Sequence, residues 1–434
     1  MDGFDRLKEK TLPPKENFYN NLTNKHISDE DYARAIDVWN TFDCKSMSDY
    51  AMVYLVSDVL LLADVFENFR KICHKEYNLD PCHYITAPAL SWDAMLRYTE
   101  IELELLTDVD MVHFLKKGVR GGVAQCSKRE AVANNQYVPN YDPQQPESYI
   151  MYLDATNLYG AAMCQYLPYE NFNCFSVEDD ADKGYVLEVD LEYPAHLHSL
   201  HNDLPFCPES MVPPGSKYSK LITNFNNKTK YIIHYRNLKQ CLRYGLVLKR
   251  IHRILEFSQS PWLKQYIDLN TSLRNKAKNE FERDLFKLLV NAIFGKTLEN
   301  VEKRRDIRLC TRWETKTNSL GARVLISKPE SKSCSVFNEN LVAIHLGKTK
   351  IVYDKPLYVG FTILDLSKTV IYDFYYGYIK KKYGEAANLL YTDSLIMEIY
   401  TPNFYEDMKR NLEHSTPPTI QLIIFTGYRK HHQY

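Results

Sequence analysis

The run Ser148-Tyr149-Ile150-Met151-Tyr152-Leu153-Asp154-Ala155-Thr156-Asn157-Leu158-Tyr159-Gly160 constrains this chain more than any other. It predicts an apolar strand that carries one carboxylate, Asp154, to its end and then turns sharply into a helix. A lone aspartate in such a place can be a helix N-cap, its side-chain oxygen accepting a backbone N–H of the first turn. Two further features raise it above a cap. Tyr159 follows five residues later, and a second aspartate, Asp393, sits in the strand-like run Leu389-Leu390-Tyr391-Thr392-Asp393-Ser394-Leu395-Ile396. Carboxylates on two adjacent strand ends can hold a pair of Mg²⁺ ions for in-line phosphoryl transfer.

The surrounding pattern sets these runs in a mixed α+β chain. With 434 residues the chain exceeds one core, so two or three subdomains are expected. Residues 28–78 have helical apolar spacing, with Asp29, Glu30 and Asp31 near a helix start. The polar, Pro-rich segment 134–147 predicts a linker before the Asp154 strand. A second strand is expected over 184–191, and a Pro- and Ser-rich loop over 206–219. From 263 to 305 the pattern is long and helical, with Leu285, Leu288, Leu289 and Ile293 on one side. Strands are expected between 341 and 361, a helix from 364 to about 382, and a hairpin over 388–399.

Charge is distributed unevenly. The net charge is −1, yet residues 217–312 hold 22 Lys and Arg against 8 Asp and Glu, and 228–253 hold eight bases and no acid. A field of that sign attracts a polyanion. The ten cysteines have no CxxC pair, which points to reduced thiols in the cytosol or nucleus. His196, His198 and His201 lack a Cys or a second ligand pair, so a surface loop is expected there rather than a metal site. The charged N-terminus is unlike a signal peptide, and no apolar run is long enough to span a bilayer, so a soluble intracellular protein without a membrane partner is expected.

Three motifs then converge. Asp154-Ala155-Thr156-Asn157-Leu158-Tyr159 resembles the D-x-x-S-L-Y motif of family B DNA polymerases, with Asn157 where Ser is usual and Gly160 where Pro is usual. Lys287-Leu288-Leu289-Val290-Asn291-Ala292-Ile293-Phe294-Gly295 resembles their K-x-x-x-N-S-x-Y-G motif, with Ala for Ser and Phe for Tyr. Tyr391-Thr392-Asp393-Ser394 resembles a shortened Y-x-D-T-D-S. Together with Arg120-Gly121-Gly122 and the stretch 231–266, the text over residues 1–412 resembles the protein-primed subgroup of organellar, viral and Polinton-type mobile-element polymerases.

The resemblance implies a palm with helical fingers and DNA-directed DNA polymerase activity. Asp154 and Asp393 would be the catalytic and metal-ligating acids for two Mg²⁺ ions, with the Ala155 carbonyl completing a metal shell. Tyr159 would be the sugar gate, and Arg274, Lys287 and Asn291 would bind the incoming deoxynucleoside triphosphate. Lys287 and Asn291 are four apart and share a helix face. Arg120, Gly121, Gly122, Lys276, Lys278 and Gly295 would contact the DNA template and primer. A terminal protein is the expected priming partner. Tyr54 and Asp58 resemble the Y-x-x-x-D of the family's 3′–5′ exonuclease; no D-x-E strand precedes them, so they are expected to be the remnant edge of that domain. The expected division is an exonuclease remnant and connection over 1–133 and the linker over 134–147. Palm and fingers follow over 148–412, with a basic insertion at about 217–262 and fingers helices at about 263–305. A non-family tail at 413–434 replaces the thumb, which is expected to be missing.

The Asp393 turn departs from the family. Two residues are missing between Tyr391 and Ser394, which keeps the strand faces in phase but shortens the turn. Aligned from Ser394, Asp393 takes the place of the family's second, principal acid; aligned from Tyr391 it takes the first. Two other functions share these residues: a catalytically impaired DNA-binding fragment of a mobile-element polymerase, and a two-carboxylate nuclease using Asp154 and Asp393. The Lys287/Asn291 face argues against the nuclease, since hydrolysis needs no triphosphate clamp.

Overall fold

The structure is a computed structural model that describes residues 4–155, 157–173, 182–314, 321–392 and 395–412. The chain divides into two compact units, Met1–Ile85 and Thr86–Tyr434.

The first unit is helical, as its spacing predicts. Ser28 opens α1 (Asp29–Thr41) and Ser46 opens α2 (Met47–Tyr77); each hydroxyl accepts the backbone N–H three residues on. Asn78, in the left-handed conformation at φ 53°, ends α2. The Arg70 guanidinium grips Asp80 through Nε at 3.1 Å and Nη2 at 2.7 Å. The spacing foretold a helix correctly but not what it covers. Of α2 only Met47, Cys73 and Tyr77 are buried, while Leu60, Leu61 and Leu62 are exposed.

The second unit begins with α3 (Ala87–Thr99) and α4 (Val109–Gly118). Then β1 (Ser148–Leu153) leads into α5 (Leu158–Met163), the expected strand-turn-helix. Next come β2 (Leu167–Asn173), β3 (Lys183–Glu192), β4 (Glu209–Met211), β5 (Lys220–Ile222), β6 (Lys228–His234), α6 (Tyr235–Arg243) and β7 (Val247–Ser260). The expected long helical stretch is two helices, α7 (Lys264–Lys276) and α8 (Glu280–Thr297). They are followed by β8 (Asp306–Cys310), α9 (Ala322–Ile326), β9 (Ser331–Asn338) and β10 (Leu341–Leu346). The described part closes with α10 (Leu357–Tyr372), a π-helical stretch Asp373–Lys380 and α11 (Lys381–Tyr383). The strands β11 (Ala387–Tyr391) and β12 (Leu395–Tyr400) and the helix α12 (Phe404–Leu412) complete it.

Two expectations change, and the basic insertion, for which the sequence predicts no element type, is largely sheet: β7 lies between β2 and β3, and β6 flanks β3, all antiparallel. The buried residues of β7 follow a period of two at its C-terminal end, with Leu255, Phe257 and Gln259 turned inward. The strand expected up to 361 is helix from Leu357 onward. That run is buried on nearly every side, and periodicity alone does not separate a buried helix from a buried strand. The segment 134–147 is knitted rather than loose: the Asn134 amide donates to the carbonyls of Asp142, Gln145 and Pro146.

The sheet that positions Asp154 has the order β1-β12-β11, antiparallel throughout. Its register places Tyr149 opposite Ile399, Met151 opposite Met397 and Leu153 opposite Leu395, all buried. These residues join Ala387 and Leu389 of β11, Val189 and Leu191 of β3 and Tyr375 and Ile379 of the π-helical stretch in one core. The chain holds 33 tyrosines, and part of that abundance has a local explanation here. Tyr372 and Tyr376 donate to the carbonyls of Pro205 and Leu204, each at 2.8 Å, and Tyr375 donates to Asp203. Large rings thus fill the core while each hydroxyl finds an acceptor.

Candidate active site

Alternation along β1 decides where Asp154 goes. Tyr149, Met151 and Leu153 face the core, Ile150 and Tyr152 face out, and Asp154 continues the outward set and is exposed. Asp154 is not the helix cap. Asn157 caps α5, its side chain accepting the Gly160 N–H at 3.0 Å. The Asp154 carboxylate is therefore left for other chemistry, and it has no ion-pair partner among the described residues.

A cleft of about 290 Å³ opens at this carboxylate, lined among others by Asp154, Ala155, Tyr159, Asn291, Gly122 and Thr392. A smaller one of about 30 Å³ is lined by Arg274, Lys287, Asn270 and Thr271. Asn157 and Asn291 line both. Thus Asp154, Ala155, Tyr159, Arg274, Lys287 and Asn291, far apart in sequence, border two clefts with shared walls. Arg274 and Lys287, like Asp154, form no ion pair among the described residues. Protein charges left without a counter-charge thus lie at these clefts, acid in one and bases in the other.

Tyr159 is half-buried and stacks on Phe294, with ring centroids 4.4 Å apart and planes 11° apart. The phenylalanine standing where the family has tyrosine thus braces the candidate gate. On the far wall, the Thr392 hydroxyl donates to the Val123 carbonyl at 2.9 Å and accepts the Gln125 N–H at 2.8 Å. Thr392 N–H also donates to the Gln125 carbonyl at 3.1 Å and Ser127 N–H to that of Leu390 at 2.9 Å. The segment after Gly122 is thereby stitched to the end of β11. Asp393 itself lies outside the described residues.

The other expected site residues are placed differently. Gly121 and Gly122 are exposed, but Arg120 turns inward: its guanidinium donates to the Ile232 carbonyl at 2.8 Å and stacks 3.8 Å over the Tyr231 ring. Lys276, Lys278 and Gly295 are exposed and line neither cleft. In the first unit, Asp58 beside Tyr54 raises the phenol above its ordinary pKa through their hydrogen bond. Among the described residues no group of three or more His, Cys, Asp or Glu is placed to hold a metal. The His196–His201 run is a surface turn, as expected, with His196, Ser199 and Leu200 exposed, but His201 at its end is buried and its Nδ1 lies 2.8 Å from the Tyr193 hydroxyl.

The basic surface is also smaller than its sequence implies. Arg253 forks onto Glu188 at 2.8 and 3.0 Å and holds that carboxyl below its usual pKa. Lys249 pairs with Glu192 at 2.6 Å, Lys228 with Glu209 at 2.7 Å, and Arg243 with Asp373. Among the lining residues that sequence reasoning missed is Lys368 on α10. Its ammonium is buried, donates to the carbonyls of Arg120 at 2.7 Å and Leu364 at 3.1 Å, and lies 3.6 Å from Asp365. Burial lowers its pKa. The signal was available: an Asp and a Lys three apart inside an otherwise apolar helix. No helix is long and apolar enough to cross a membrane among the described residues.

Comparison with known proteins adds to this geometry. The family described as DNA polymerase type B, organellar and viral, matches residues 14–376. Among solved structures, Phi29 DNA polymerase in an orthorhombic crystal form is 13% identical with a TM-score of 0.47, over 93% of this chain and 59% of that one. Phi29 DNA polymerase complexed with primer-template DNA and incoming nucleotide substrates is 13% identical at 0.47, over 90% and 56%. The binary complex with primer-template DNA is 14% identical at 0.47, over 89% and 56%. The chain thus spans less than two thirds of the length of these structures. No curated protein matches it.

Proposed function

The chain belongs to the organellar and viral type B DNA polymerases, and we propose that its second unit transfers deoxynucleotides from their triphosphates to a 3′-hydroxyl, directed by a DNA template. The observation that carries this reading is the distribution of uncompensated charge: Asp154 in one cleft, Arg274 and Lys287 in the adjoining one, with Asn157 and Asn291 in the wall between.

Asp154 and the Ala155 carbonyl are hard oxygen donors at the larger cleft, the kind Mg²⁺ takes, and Asp393 would supply the second carboxylate. Two such ions, when bound, would acidify the attacking hydroxyl and offset charge on the triphosphate. The chain's own residues do the rest. Arg274 and Lys287 hold the triphosphate and face the charge that develops on it, in a setting where fixed donors need no reorganisation. Asn291, one helical turn from Lys287, reaches both the phosphate and the sugar side. Tyr159, held flat by Phe294, closes the floor under the sugar and excludes a 2′-hydroxyl. Sheet β1-β12-β11 would serve as palm and α7 and α8 as fingers. The basic insertion over about 217–262, which contains β6 and β7, would receive a terminal protein, making the enzyme protein-primed. The first unit, with Tyr54 and Asp58, would be the edge of a proofreading domain.

Primer extension with Mg²⁺ and four deoxynucleotides tests this. The expected result is lengthening of the primer that Asp154→Asn abolishes while DNA binding is kept. Shortening of the primer would instead identify a nuclease. A gel shift with neither would identify a binding protein.

A further inference from the structure

The two departures from the D-x-x-S-L-Y-P pattern, Asn157 and Gly160, lie three residues apart and meet in space. The Asn157 side-chain oxygen accepts the Gly160 N–H at 3.0 Å, and the Asn157 carbonyl accepts the Ala161 N–H at 2.9 Å. Gly160 is buried. A Cβ at position 160 would sit 2.0 Å from Asn157 Nδ2, 2.3 Å from its Cγ and 2.6 Å from its Oδ1. The glycine is not there for a left-handed backbone, since it is not among the residues with positive φ. It is there for space and for its N–H. Proline in its place would remove the donor and put ring atoms where the Asn157 amide lies.

We infer that Asn157 and Gly160 act as one positioning unit for Tyr159, the Asn157 cap being tolerable only with a glycine at 160. Asn157 lines both clefts, and Tyr159, between the two partners, is locked against Phe294. Any side chain at 160 must push the Asn157 amide aside, which breaks the cap and releases the first turn of α5, where the tyrosine sits. A short serine at 157 leaves that space open, so serine tolerates a side chain at 160 and asparagine does not. The pair is thus a swap of cap chemistry that keeps the ring in place. Asn157 is a positioning residue, acting on the sugar through Tyr159.

The consequence for sugar choice rests on the polymerase reading; the pairing itself does not. The test is a cycle of Gly160→Ala, Asn157→Ser and the double variant in the full chain, read two ways. Melting temperature reports the pairing. Gly160→Ala is expected to lower it by about 2–4 °C, as overpacking does, and to lower it far less when Asn157→Ser is already present. The ratio of kcat/KM for deoxy- over ribonucleotide reports the ring. Gly160→Ala is expected to reduce that ratio by about tenfold through displacement of Tyr159, and the double variant to recover most of it. Equal melting penalties in both backgrounds would overturn the pairing. A coupled melting cycle with an unchanged nucleotide ratio would overturn the positioning role. A coupled melting cycle in a chain that extends no primer would leave the pair standing and overturn the polymerase reading instead.

Discussion

On the four-stranded sheet β2-β7-β3-β6, acids of β3 face bases of β7. Glu188 holds Arg253 through two hydrogen bonds and Glu192 holds Lys249. At the end of the three-stranded sheet β1-β12-β11, Asp154 forms no ion pair among the described residues, since Lys368 in the same cleft lies against Asp365, and Arg274 and Lys287 at the adjoining cleft likewise form none. The first sheet pairs several of its charges within itself. The second leaves them unmatched around a cavity, which is costly unless something of opposite charge binds there. A magnesium-bound triphosphate is complementary to both signs at once. The contrast teaches that the sum of charge along a segment is a poor guide to a nucleic-acid surface; what matters is which charges remain unpaired after folding.

Removing the unpaired bases sharpens the contrast most. Arg274→Ala or Lys287→Ala should each lower kcat/KM for nucleotide incorporation by about 10²-fold, with the double variant on the order of 10³-fold, because fixed donors to developing charge are worth this much. Melting should barely move, since Lys287 is exposed. Steady-state kinetics with a single deoxynucleotide checks this. Losses of twofold or less would place the triphosphate elsewhere.

Removing a paired base should do the reverse. Arg253→Ala leaves Glu188, only 6% exposed, without its partner. The expected destabilisation is about 1–2 kcal/mol, discounted because Arg253 is half exposed. DNA affinity, read by fluorescence anisotropy at fixed salt, should stay within about twofold of the parent's. If Arg253→Ala weakens DNA binding more than it lowers the melting temperature, the paired sheet is a DNA surface after all and the contrast fails.

The smallest expected effect is a pH dependence that belongs to neither sheet's surface. Burial pushes His201 down to about 4 and His234 down to about 3. Both are therefore neutral in the fold where the unfolded chain, with its ordinary value near 6.5, binds protons. Stability is fully present above that value and falls as pH drops from about 6.5 toward 4 and below. Melting curves from pH 7.5 to 4 should show this decline, and His201→Gln should flatten it. A profile unchanged by that substitution would mean His201 titrates normally.

How much of this was legible depends on whether the signal was local. The strand-turn-helix at Asp154 was, because period-two burial, a turn and a helix start lie within 13 consecutive residues. The joining of Asp154, Tyr159, Lys287 and Asn291 was legible only through the order of three motifs, since nothing in spacing brings α5 against α8. Asn157 as the cap was not read from the sequence, because Asp154 is an equally good N-cap residue by type and only backbone geometry decides between them. The basic run looked unopposed because its acids, Glu188 and Glu192, come about 60 residues earlier and meet it by strand pairing. The helix α10 hid because it is buried on nearly every side. In α2 the apolar positions were legible and their exposure was not, because periodicity reports a face and not what covers it.

The most direct test sets the two regions against each other in one experiment: single-turnover addition of one deoxynucleotide to a primer-template by the intact chain, its Asp154→Asn variant and its Arg253→Ala variant, with DNA binding measured on the same samples. The account predicts that all three bind DNA, that Arg253→Ala adds the nucleotide at the parent's rate, and that Asp154→Asn adds none. Nucleotide addition by Asp154→Asn at the parent's rate, or equal loss in both variants, would contradict it.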